Sequence, residues 1–334
     1  MPDKRLVFAY PGNLQTLTGG YGYDRRVIAG LAANGWDVRP LPLGPGFPFP
    51  SGSTLQAVDA SLSALPDGSL VIVDGLAYGV MDQAAEKHGK RLRLIALVHH
   101  PLCRENGMSS DVAARLRASE SAALSHARQV IVTSPATAAQ IKELFETPKD
   151  AISIALPGTE RPVAGRKASQ GPLRLLSIGT VTQRKGYDLL FKALSHLKEM
   201  DWHLDVVGGL EADPGCVAAL KEQIKSLELT GRITFQGAVP QEQLSQHYRV
   251  ADVFVLASRY EGYGMAYTEA LAHGLPVIGS GAGAVEDTLL VGGAIYCGVE
   301  DVQALTAALS NLMSDPEARQ RLATEARDAA HSLP

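Results

Sequence analysis

Short apolar runs rich in β-branched residues alternate along the chain with segments in which apolar residues recur at helical spacing. The first half has four such runs, RLVFAY (5–10), SLVIVDG (69–75), RLIALVH (93–99) and QVIVTS (129–134). Their nearly continuous apolar character predicts strands buried on both faces of a parallel sheet. Between them, YDRRVIAGLAAN (23–34) has helical spacing, and we expect this helix to end at Gly35.

The same alternation begins again near residue 173. The predicted strands are LRLLSIG (173–179), HLDVVGG (203–209), RITFQG (232–237), ADVFVLAS (251–258) and LPVIGS (275–280), and ALTAALSNLMSD (304–315) is a predicted helix. RPVAGRKASQG (161–171) is polar and lacks periodicity. The sequence therefore predicts an α/β fold of two Rossmann-like, doubly wound domains, 1–163 and 171–334, joined by a linker at 164–170.

Composition and charge narrow the class of protein. A length of 334 residues suggests two domains, and a net charge of −4 argues against nucleic acid as a partner. Cys103, Cys216 and Cys297 are far apart, which excludes a CxxC metal site and a disulfide framework. MPDKRLVFAYPG (1–12) has an apolar run too short for a signal peptide, and no run approaches the length of a membrane span. We expect a cytoplasmic protein.

The loop after the first strand contains the first candidate ligand residues, Gly19 and Gly20 in PGNLQTLTGGYGYDRR (11–26). Glycines there let the backbone approach a ligand at a helix N-terminus, although a plain strand-to-helix turn remains an alternative. Asp24 opens the predicted helix and is expected to complement its dipole. Of the two arginines that follow, Arg25 is the candidate to face the ligand.

Polar side chains also follow two other strands of the first half. His99, His100 and Pro101 end the third strand, and Asp74 ends the second. Ligands of such sheets bind beyond the carboxyl ends of the strands, and strand alternation directs only one histidine toward that edge. We prefer His100 for this role. Asp74 is a candidate acceptor from a ligand hydroxyl, with helix capping as the alternative.

In the second half, GTVTQRKGYDLL (179–190) connects a strand to a helix. Arg184 and Lys185 precede Gly186 in this loop. Beside a helix N-terminus, two such cations are suited to neutralise a diphosphate, although surface cations are often simply solvated. The segment lacks the GxxxxGK[ST] pattern of a Walker loop.

The segment SRYEGYGMAYTEALAHGLPVIGS (258–280) holds the most specific constellation. Gly262 and Gly264 flank a turn that leads into a helix N-terminus, which is an anion site. Glu261 begins the turn and Glu269 lies inside the helix, so that both carboxylates are placed to accept hydroxyl donors. The backbone amides of the helix N-terminus can bind a phosphate, and the two carboxylates can bind the hydroxyls of a sugar. Together these groups indicate a nucleotide-sugar site.

The E-x7-E spacing of Glu261 and Glu269, between a strand and a helix, resembles the motif of retaining glycosyltransferases of the GT-B fold, family 4. GTVTQRKGYDLL resembles the diphosphate loop of that family, and TGGYGYDRR and HHP resemble its glycine loop and sugar-side histidine. The resemblance covers nearly the whole chain, with the motifs in the family's order.

The resemblance implies a role for each motif. Arg184 and Lys185 would hold the donor diphosphate, Glu269 would bind the ribose, and Glu261 with the backbone amides from Tyr263 to Met265 would hold the transferred sugar and phosphate. His100 would contact the sugar near its reacting face, and Gly19 and Gly20 would close on the diphosphate. In this fold the nucleotide base is contacted largely by backbone groups, which here would lie around Gly209 and Val239. Tyr23, Arg25 and Asp74 are the predicted acceptor contacts.

The family's pattern also leaves questions open. Many members have arginine where this chain has Thr180, so Arg184 would have to supply that charge. Members commonly run a last helix back to the first domain, and the sequence leaves open whether this chain does so. No DxD motif or histidine spacing indicates a metal, so we expect no metal or other cofactor, with the nucleoside-diphosphate sugar as a substrate.

The resemblance implies sugar transfer to an acceptor hydroxyl with retention of configuration. The alternatives are a nucleotide-sugar epimerase of the same fold and a non-catalytic two-domain sugar-binding protein. The acceptor is expected to be a lipid such as diacylglycerol, or a small molecule, recognised by the loops at 41–53, 74–79 and 101–119. The phenylalanines of the first loop and Arg104, Arg115 and Arg117 of the third would also permit peripheral contact with the inner membrane face.

Overall fold

The computed structural model describes residues 4–105, 107–162 and 171–334. The chain forms two compact units, Met1–Leu156 and Pro157–Pro334. The predicted linker at 164–170 lies outside the described residues. The first unit ends before residue 163, because Thr159 already belongs to the second unit, where its N–H donates to Pro334 O at 2.7 Å.

The first unit is a parallel sheet covered by helices. Its strands are β1 (Arg5–Tyr10), β2 (Asp37–Pro42), β3 (Leu70–Asp74), β4 (Arg93–Val98), β5 (Gln129–Val132) and β6 (Ile152–Ile154). Its helices are α1 (Gly19–Ala33), α2 (Gly52–Ser63), α3 (Gly75–Tyr78), α4 (Asp82–His88), α5 (Ser110–Leu124) and α6 (Pro135–Phe145). The strand order is β2-β1-β3-β4-β5-β6, with all pairs parallel.

The second unit repeats this architecture. Its strands are β7 (Leu173–Ile178), β8 (Trp202–Val207), β9 (Ile233–Gly237), β10 (Val253–Leu256), β11 (Tyr260–Glu261), β12 (Val277–Gly279), β13 (Ala282–Gly283) and β14 (Ala294–Tyr296). Its helices are α7 (Tyr187–Ser195), α8 (Pro214–Ser226), α9 (Gln241–Val250), α10 (Met265–Ala272), α11 (Val285–Leu289), α12 (Val302–Ser314) and α13 (Pro316–Ala329). The main sheet has the order β14-β12-β10-β7-β8-β9, and β11 pairs with β13 in a separate short ladder.

Successive residues of the central strands enter different core clusters. In β10, Val253 and Val255 pack in one cluster, whereas Phe254 and Leu256 pack in another. Side chains of a strand point alternately to the two faces of its sheet, so both faces are covered. This burial explains the apolar runs of the sequence and confirms the predicted α/β class with parallel sheets.

Two elements differ from the sequence-based expectation near the candidate site. Helix α1 begins at Gly19, not at residue 23, and Thr18 caps it by accepting a 3.4 Å hydrogen bond from Tyr21 N. Glu261, expected in a turn, lies in β11, which pairs with β13. None of the described helices combines the length and apolar character that a membrane span requires.

Candidate functional site

The loops that follow β7 and β10 are joined by Arg259. These strands are parallel neighbours, so their carboxyl ends lie side by side. Arg259 N donates to Arg184 O at 2.7 Å, and its guanidinium donates to Gln183 O at 2.7 Å and to both carboxylate oxygens of Asp188 at 2.8 Å. A two-point arginine–carboxylate contact fixes orientation as well as distance. The two loops therefore form one structural element.

Three predicted residues meet within this element. Lys185 Nζ donates to Glu261 Oε1 at 2.5 Å, and Arg184 Nη1 donates to Glu261 Oε2 at 3.2 Å. Ser258 Oγ donates to Glu261 Oε1 at 2.6 Å, a partner that the sequence analysis did not identify. Two cations therefore converge on the carboxylate of Glu261.

The charge state of Glu261 follows from these contacts. Burial would raise the pKa of Glu261, but the charges of Lys185 and Arg184 and the hydrogen bonds from Lys185 and Ser258 outweigh it and lower this pKa to about 2. Glu261 is therefore ionised at neutral pH. An ionised carboxylate accepts hydrogen bonds and cannot act as a proton donor.

Gly186 permits the sharp turn after the two cations. Its φ is +61°, and a Cβ at this position would lie 1.9 Å from Ala257 O. The backbone can therefore pass this close to the end of β10 only without a side chain. Lys185 packs along Gly179, where a Cβ would lie 2.9 Å from Lys185 Cε.

The turn before α10 presents the N-terminus of that helix. Gly264 adopts a φ of +95°, and no side chain of the described residues caps the helix through a hydrogen bond. Thr288 Oγ1 donates to Tyr263 O at 2.6 Å and fixes the turn that Gly262 begins. The first amides of α10, from Met265 onward, and the positive end of the helix dipole provide the features of an anion site.

Glu269 is oriented by an aromatic partner from α9. Tyr248 O–H donates to Glu269 Oε2 at 2.9 Å, and the Tyr248 ring stacks on His273 with centroids 4.6 Å apart. Burial and the charge of Glu269 raise the pKa of Tyr248 well above its ordinary value, so the hydroxyl keeps its proton. Tyr248 leaves no local signal in the sequence, because it lies 21 positions from Glu269 on a different helix.

The predicted base-binding and backbone positions lie at the carboxyl ends of neighbouring strands. Val181 N donates to Gly209 O at 2.9 Å, which ties the loop after β7 to the end of β8. The backbone of Thr180 also passes close to the end of β8: a Cβ on Gly208 would lie 3.0 Å from Thr180 N. Val239, after β9, packs against the core cluster that includes Tyr248.

In the first unit, three polar side chains converge: Asp74 at the end of β3, His99 just after β4, and Asp24 on the buried face of α1. His99 Nε2 lies 3.4 Å from Asp24 Oδ1 and 3.4 Å from Asp74 Oδ2. Asp24 is fully buried. Burial raises the pKa of Asp24 to about 6, although its interactions with His99 act in the opposite direction. Burial would lower the pKa of His99, but hydrogen bonding to Asp24 and Asp74 and their charges raise it to about 10.

The two histidines that follow β4 have different partners. His100 Nε2 lies 3.1 Å from Glu105 Oε2, and His99 is the histidine that meets Asp24 and Asp74. Because β4 ends at Val98, neither histidine follows the strand's pleat. Asp24 does not serve the helix dipole, because α1 starts earlier and Asp24 lies on its buried face.

Two other predicted residues of the first unit, Gly20 and Tyr23, lie against His99. A Cβ on Gly20 would lie 3.6 Å from the His99 ring, whereas Gly19 begins the helix. The Tyr23 ring makes an edge-on contact with His99, with centroids 5.3 Å apart, and its O–H donates to Ala155 O at 3.0 Å. Arg25 Nη1 instead donates to Leu14 O at 2.5 Å and to Thr16 O at 3.1 Å, so that it closes its own loop.

Two known proteins match parts of this chain. The mannosylfructose-phosphate synthase of Agrobacterium fabrum is 42% identical over 110 residues, 31% of this chain and 24% of that protein. The GDP-mannose-dependent alpha-(1-6)-phosphatidylinositol monomannoside mannosyltransferase of Mycolicibacterium smegmatis is 32% identical over 153 residues, 42% of this chain and 39% of that protein. The matched segments thus span well under half of these relatives.

A solved structure supports the fold over the whole chain. The sucrose-phosphate synthase of Thermosynechococcus elongatus superposes with a TM-score of 0.79 at 20% identity, covering 98% of this chain and 95% of that one. This likeness shows the GT-B fold. Residues 163–329, half of the 334-residue chain, match the family Glycosyl transferases group 1, and the chain therefore belongs to that family.

Proposed function

We propose that the chain is a retaining glycosyltransferase that moves a sugar from a nucleoside-diphosphate donor to an acceptor hydroxyl. The observation that carries this proposal is the contact of Arg184 and Lys185 with the buried carboxylate of Glu261. This contact holds two cations at the carboxyl ends of β7 and β10, next to the N-terminus of α10. A diphosphate is the part of a nucleotide sugar that needs such a site.

Each group has a role in this proposal. Arg184 and Lys185 bind the diphosphate, together with the first amides of α10 around Tyr263, Gly264 and Met265. Glu261 is ionised and accepts hydrogen bonds from hydroxyls of the transferred sugar. Glu269, oriented by the hydroxyl of Tyr248, accepts from the ribose. Backbone around Gly209 and Val239 receives the base.

The chemistry then depends on stabilising the leaving group. As the bond between the sugar and the diphosphate breaks, negative charge grows on the phosphate oxygen, next to Arg184, Lys185 and the α10 dipole. Preorganised charges of this kind commonly lower the barrier by several kcal/mol, about 3–4 kcal/mol for a single donor. We propose that the acceptor attacks the same face from which the diphosphate leaves, and that the leaving oxygen takes the acceptor proton. No metal is assigned to this step.

For the acceptor, we propose a hydroxyl of a glycolipid precursor such as diacylglycerol. Phe49, in the predicted acceptor loop, is 61% exposed and Leu17 is 45% exposed, so that apolar surface is available in the first unit. One relative is named for a phosphatidylinositol mannoside acceptor. Tyr23, Arg25 and Asp74 remain the predicted acceptor contacts. His100 remains the predicted contact to the transferred sugar, and Gly19 and Gly20 remain the predicted diphosphate contacts of the first unit.

The direct test is sugar transfer from UDP-, GDP- and ADP-sugars to mixed lipid and small-molecule acceptors, with products identified by mass spectrometry and anomeric configuration by NMR. Lys185→Ala and Glu269→Ala should each lower turnover by about 100-fold or more. Lys192→Ala, an exposed lysine of α7, is the matched control and should retain activity. Near-native turnover in both site variants would refute the proposal. Conversion of donor without acceptor would instead indicate an epimerase.

A further inference from the structure

We propose that Glu120 is a positioning residue whose carboxyl group fixes the segment 99–102. This segment follows β4 and carries His100, the predicted contact to the transferred sugar. Glu120 lies on α5, outside the motifs that the sequence analysis identified. The inference rests on the proposed function, because that function assigns His100 to the sugar.

Two hydrogen bonds hold the ends of this segment. Because β4 ends at Val98, the segment lies beyond the sheet. Thr133 Oγ1 donates to His99 O at 3.3 Å, and Leu102 N donates to Glu120 Oε2 at 2.9 Å. The two bonds lie on either side of His100. Loss of the bond to Glu120 would release the backbone that follows it.

Close packing makes the contact between Glu120 and Leu102 sensitive to small displacements. Glu120 is 1% exposed and Leu102 is 5% exposed. Both pack against Gly79, where a Cβ would lie 2.6 Å from Leu102 Cδ1 and 3.2 Å from Glu120 Cγ. Protein interiors are packed too densely to absorb such changes without movement. A shift of the Glu120 side chain would therefore move Leu102.

The carboxyl group is costly at this place, which argues for a role other than stability. Glu120 Oε1 is buried and has no hydrogen-bond partner among the described residues. Burying a polar atom without a partner costs free energy, and a well-packed apolar side chain of similar volume would avoid that cost. The bond to Leu102 N is what the carboxyl group provides, so we assign its role to that bond.

Burial also determines the charge of Glu120. It raises the pKa of Glu120 from 4.5 to about 8, although the hydrogen bond from Leu102 N acts in the opposite direction. The protonated form is therefore favoured in the folded protein at neutral pH. A protonated carboxyl group still has an oxygen that accepts a hydrogen bond.

Titratable and charged groups surround Glu120 on several elements. Burial and the charge of Glu120 raise the pKa of Cys103, whereas the charges of Arg104 and Arg117 lower it. The shift of Glu120 itself is caused by burial and by Leu102 N. Two other helices that pack against α5 carry the charged or titratable residues Asp82, Glu86, Lys87 and His88 of α4, and Lys142 and Glu143 of α6.

The test compares substitutions of Glu120 in the full chain. Glu120→Gln keeps an oxygen that accepts from Leu102 N, so kcat for sugar transfer should stay within about 2-fold of the wild type. Glu120→Leu fills a similar space without an acceptor, and kcat should fall by about 10-fold or more, because small displacements of a positioned group are costly. Its affinity for UDP, GDP or ADP should be unchanged, because Arg184 and Lys185 lie in the second unit.

Hydrogen exchange measures the anchor without an assay of activity. In peptides that contain Leu102, Glu120→Leu should exchange faster than the wild type, whereas Glu120→Gln should exchange like it. Glu143→Leu makes the same change at an exposed glutamate of α6 and should leave kcat and exchange unchanged. If Glu120→Leu does not fold, Gly79→Ala tests the same contact, because its Cβ would displace Leu102.

The pH dependence of stability gives a further check on the charge of Glu120. The folded pKa of about 8 lies above the ordinary value of 4.5, so the contribution of Glu120 to stability is full below pH 4.5 and is lost as pH rises through about 8. Glu120→Gln is uncharged throughout this range. Its unfolding free energy should therefore gain on that of the wild type between pH 5 and pH 8.

The outcomes separate this proposal from the proposed function. A folded Glu120→Leu with native kcat and native exchange at Leu102 would overturn the proposal, and so would equal losses of kcat in Glu120→Gln and Glu120→Leu. A wild type that transfers no sugar would refute the proposed function. Hydrogen exchange would then still decide whether Glu120 fixes the segment 99–102.

Discussion

Lys185 Nζ and Glu261 Oε1 lie 2.5 Å apart although the two residues are separated by 76 positions in the sequence. The pairing of β7 with β10 and the contacts of Arg259 bring their loops together. Glu261 thus holds the lysine and Arg184 at fixed positions. The cations are preorganised for an anion, which reduces the cost of ordering two long side chains on binding.

Glu261 is expected to make the free energy of unfolding depend on pH in the acid range. Its folded pKa, about 2, lies below the ordinary value of 4.5, so the ionised form stabilises the fold above pH 4.5 and this contribution is lost as pH falls toward 2. The shift corresponds to about 3 kcal/mol. Glu261→Gln should therefore be much less stable than the wild type at pH 7, and the difference should shrink between pH 5 and pH 3. Chemical denaturation at each pH measures the difference in unfolding free energy between the variant and the wild type.

The matched control for this prediction is Glu325→Gln, which changes an exposed glutamate of α13. Its unfolding free energy should follow that of the wild type at each pH. A constant difference between Glu261→Gln and the wild type from pH 7 to pH 3 would show that Glu261 is not held ionised by its partners.

Gly186→Ala should disrupt the loop that carries the two cations. The new Cβ would clash with Ala257 O, in addition to the cost of a positive φ. Gly231 has a φ of +82° with no atom within 4 Å of its Cβ position, so Gly231→Ala measures the cost of backbone conformation alone. We expect Gly231→Ala to lose about 1 kcal/mol and Gly186→Ala clearly more. Equal losses of unfolding free energy would mean that the close approach to Ala257 is absent.

Tyr248→Phe should weaken donor binding without a large effect on the chemical step. The variant removes the 2.9 Å hydrogen bond to Glu269 but keeps the ring that stacks on His273. We expect the donor KM to rise by about 3- to 10-fold, corresponding to a hydrogen bond of about 1 kcal/mol, with kcat little changed. Tyr296→Phe, which removes a hydroxyl bonded to Gly281 O, should leave KM unchanged. A fall in kcat at constant KM would contradict a role in positioning Glu269.

The core strands could be predicted because burial on both faces leaves a continuous apolar run in the sequence. The edge strand β2 could not, because DVRPLP contains Pro40 and Pro42 and is largely exposed. Proline is tolerated there because an edge strand has only one hydrogen-bonded neighbour. The pair β11 and β13 has two residues in each strand, too few for a periodic pattern.

Local sequence patterns also predict only part of the candidate site. Arg184, Lys185, Glu261 and Glu269 could be found because they occur in motifs along the sequence. Ser258 and Tyr248, which fix the two glutamates, act across the fold and leave no spacing signal. The choice between His99 and His100 depended on where β4 ends, and the meeting of Asp24 with Asp74 depended on where α1 begins. Boundaries of elements are the least predictable feature of a sequence.

The most direct test of the account is the affinity of the ligand-free protein for a nucleoside diphosphate, measured by titration calorimetry with UDP, GDP and ADP. We predict that Lys185→Ala weakens binding of the preferred diphosphate by about 10- to 100-fold, since a hydrogen bond to a charged group contributes about 1.5–3 kcal/mol. Lys192→Ala should bind like the wild type. If Lys185→Ala binds the diphosphate as tightly as the wild type, Lys185 is not its partner and the proposed donor site is wrong.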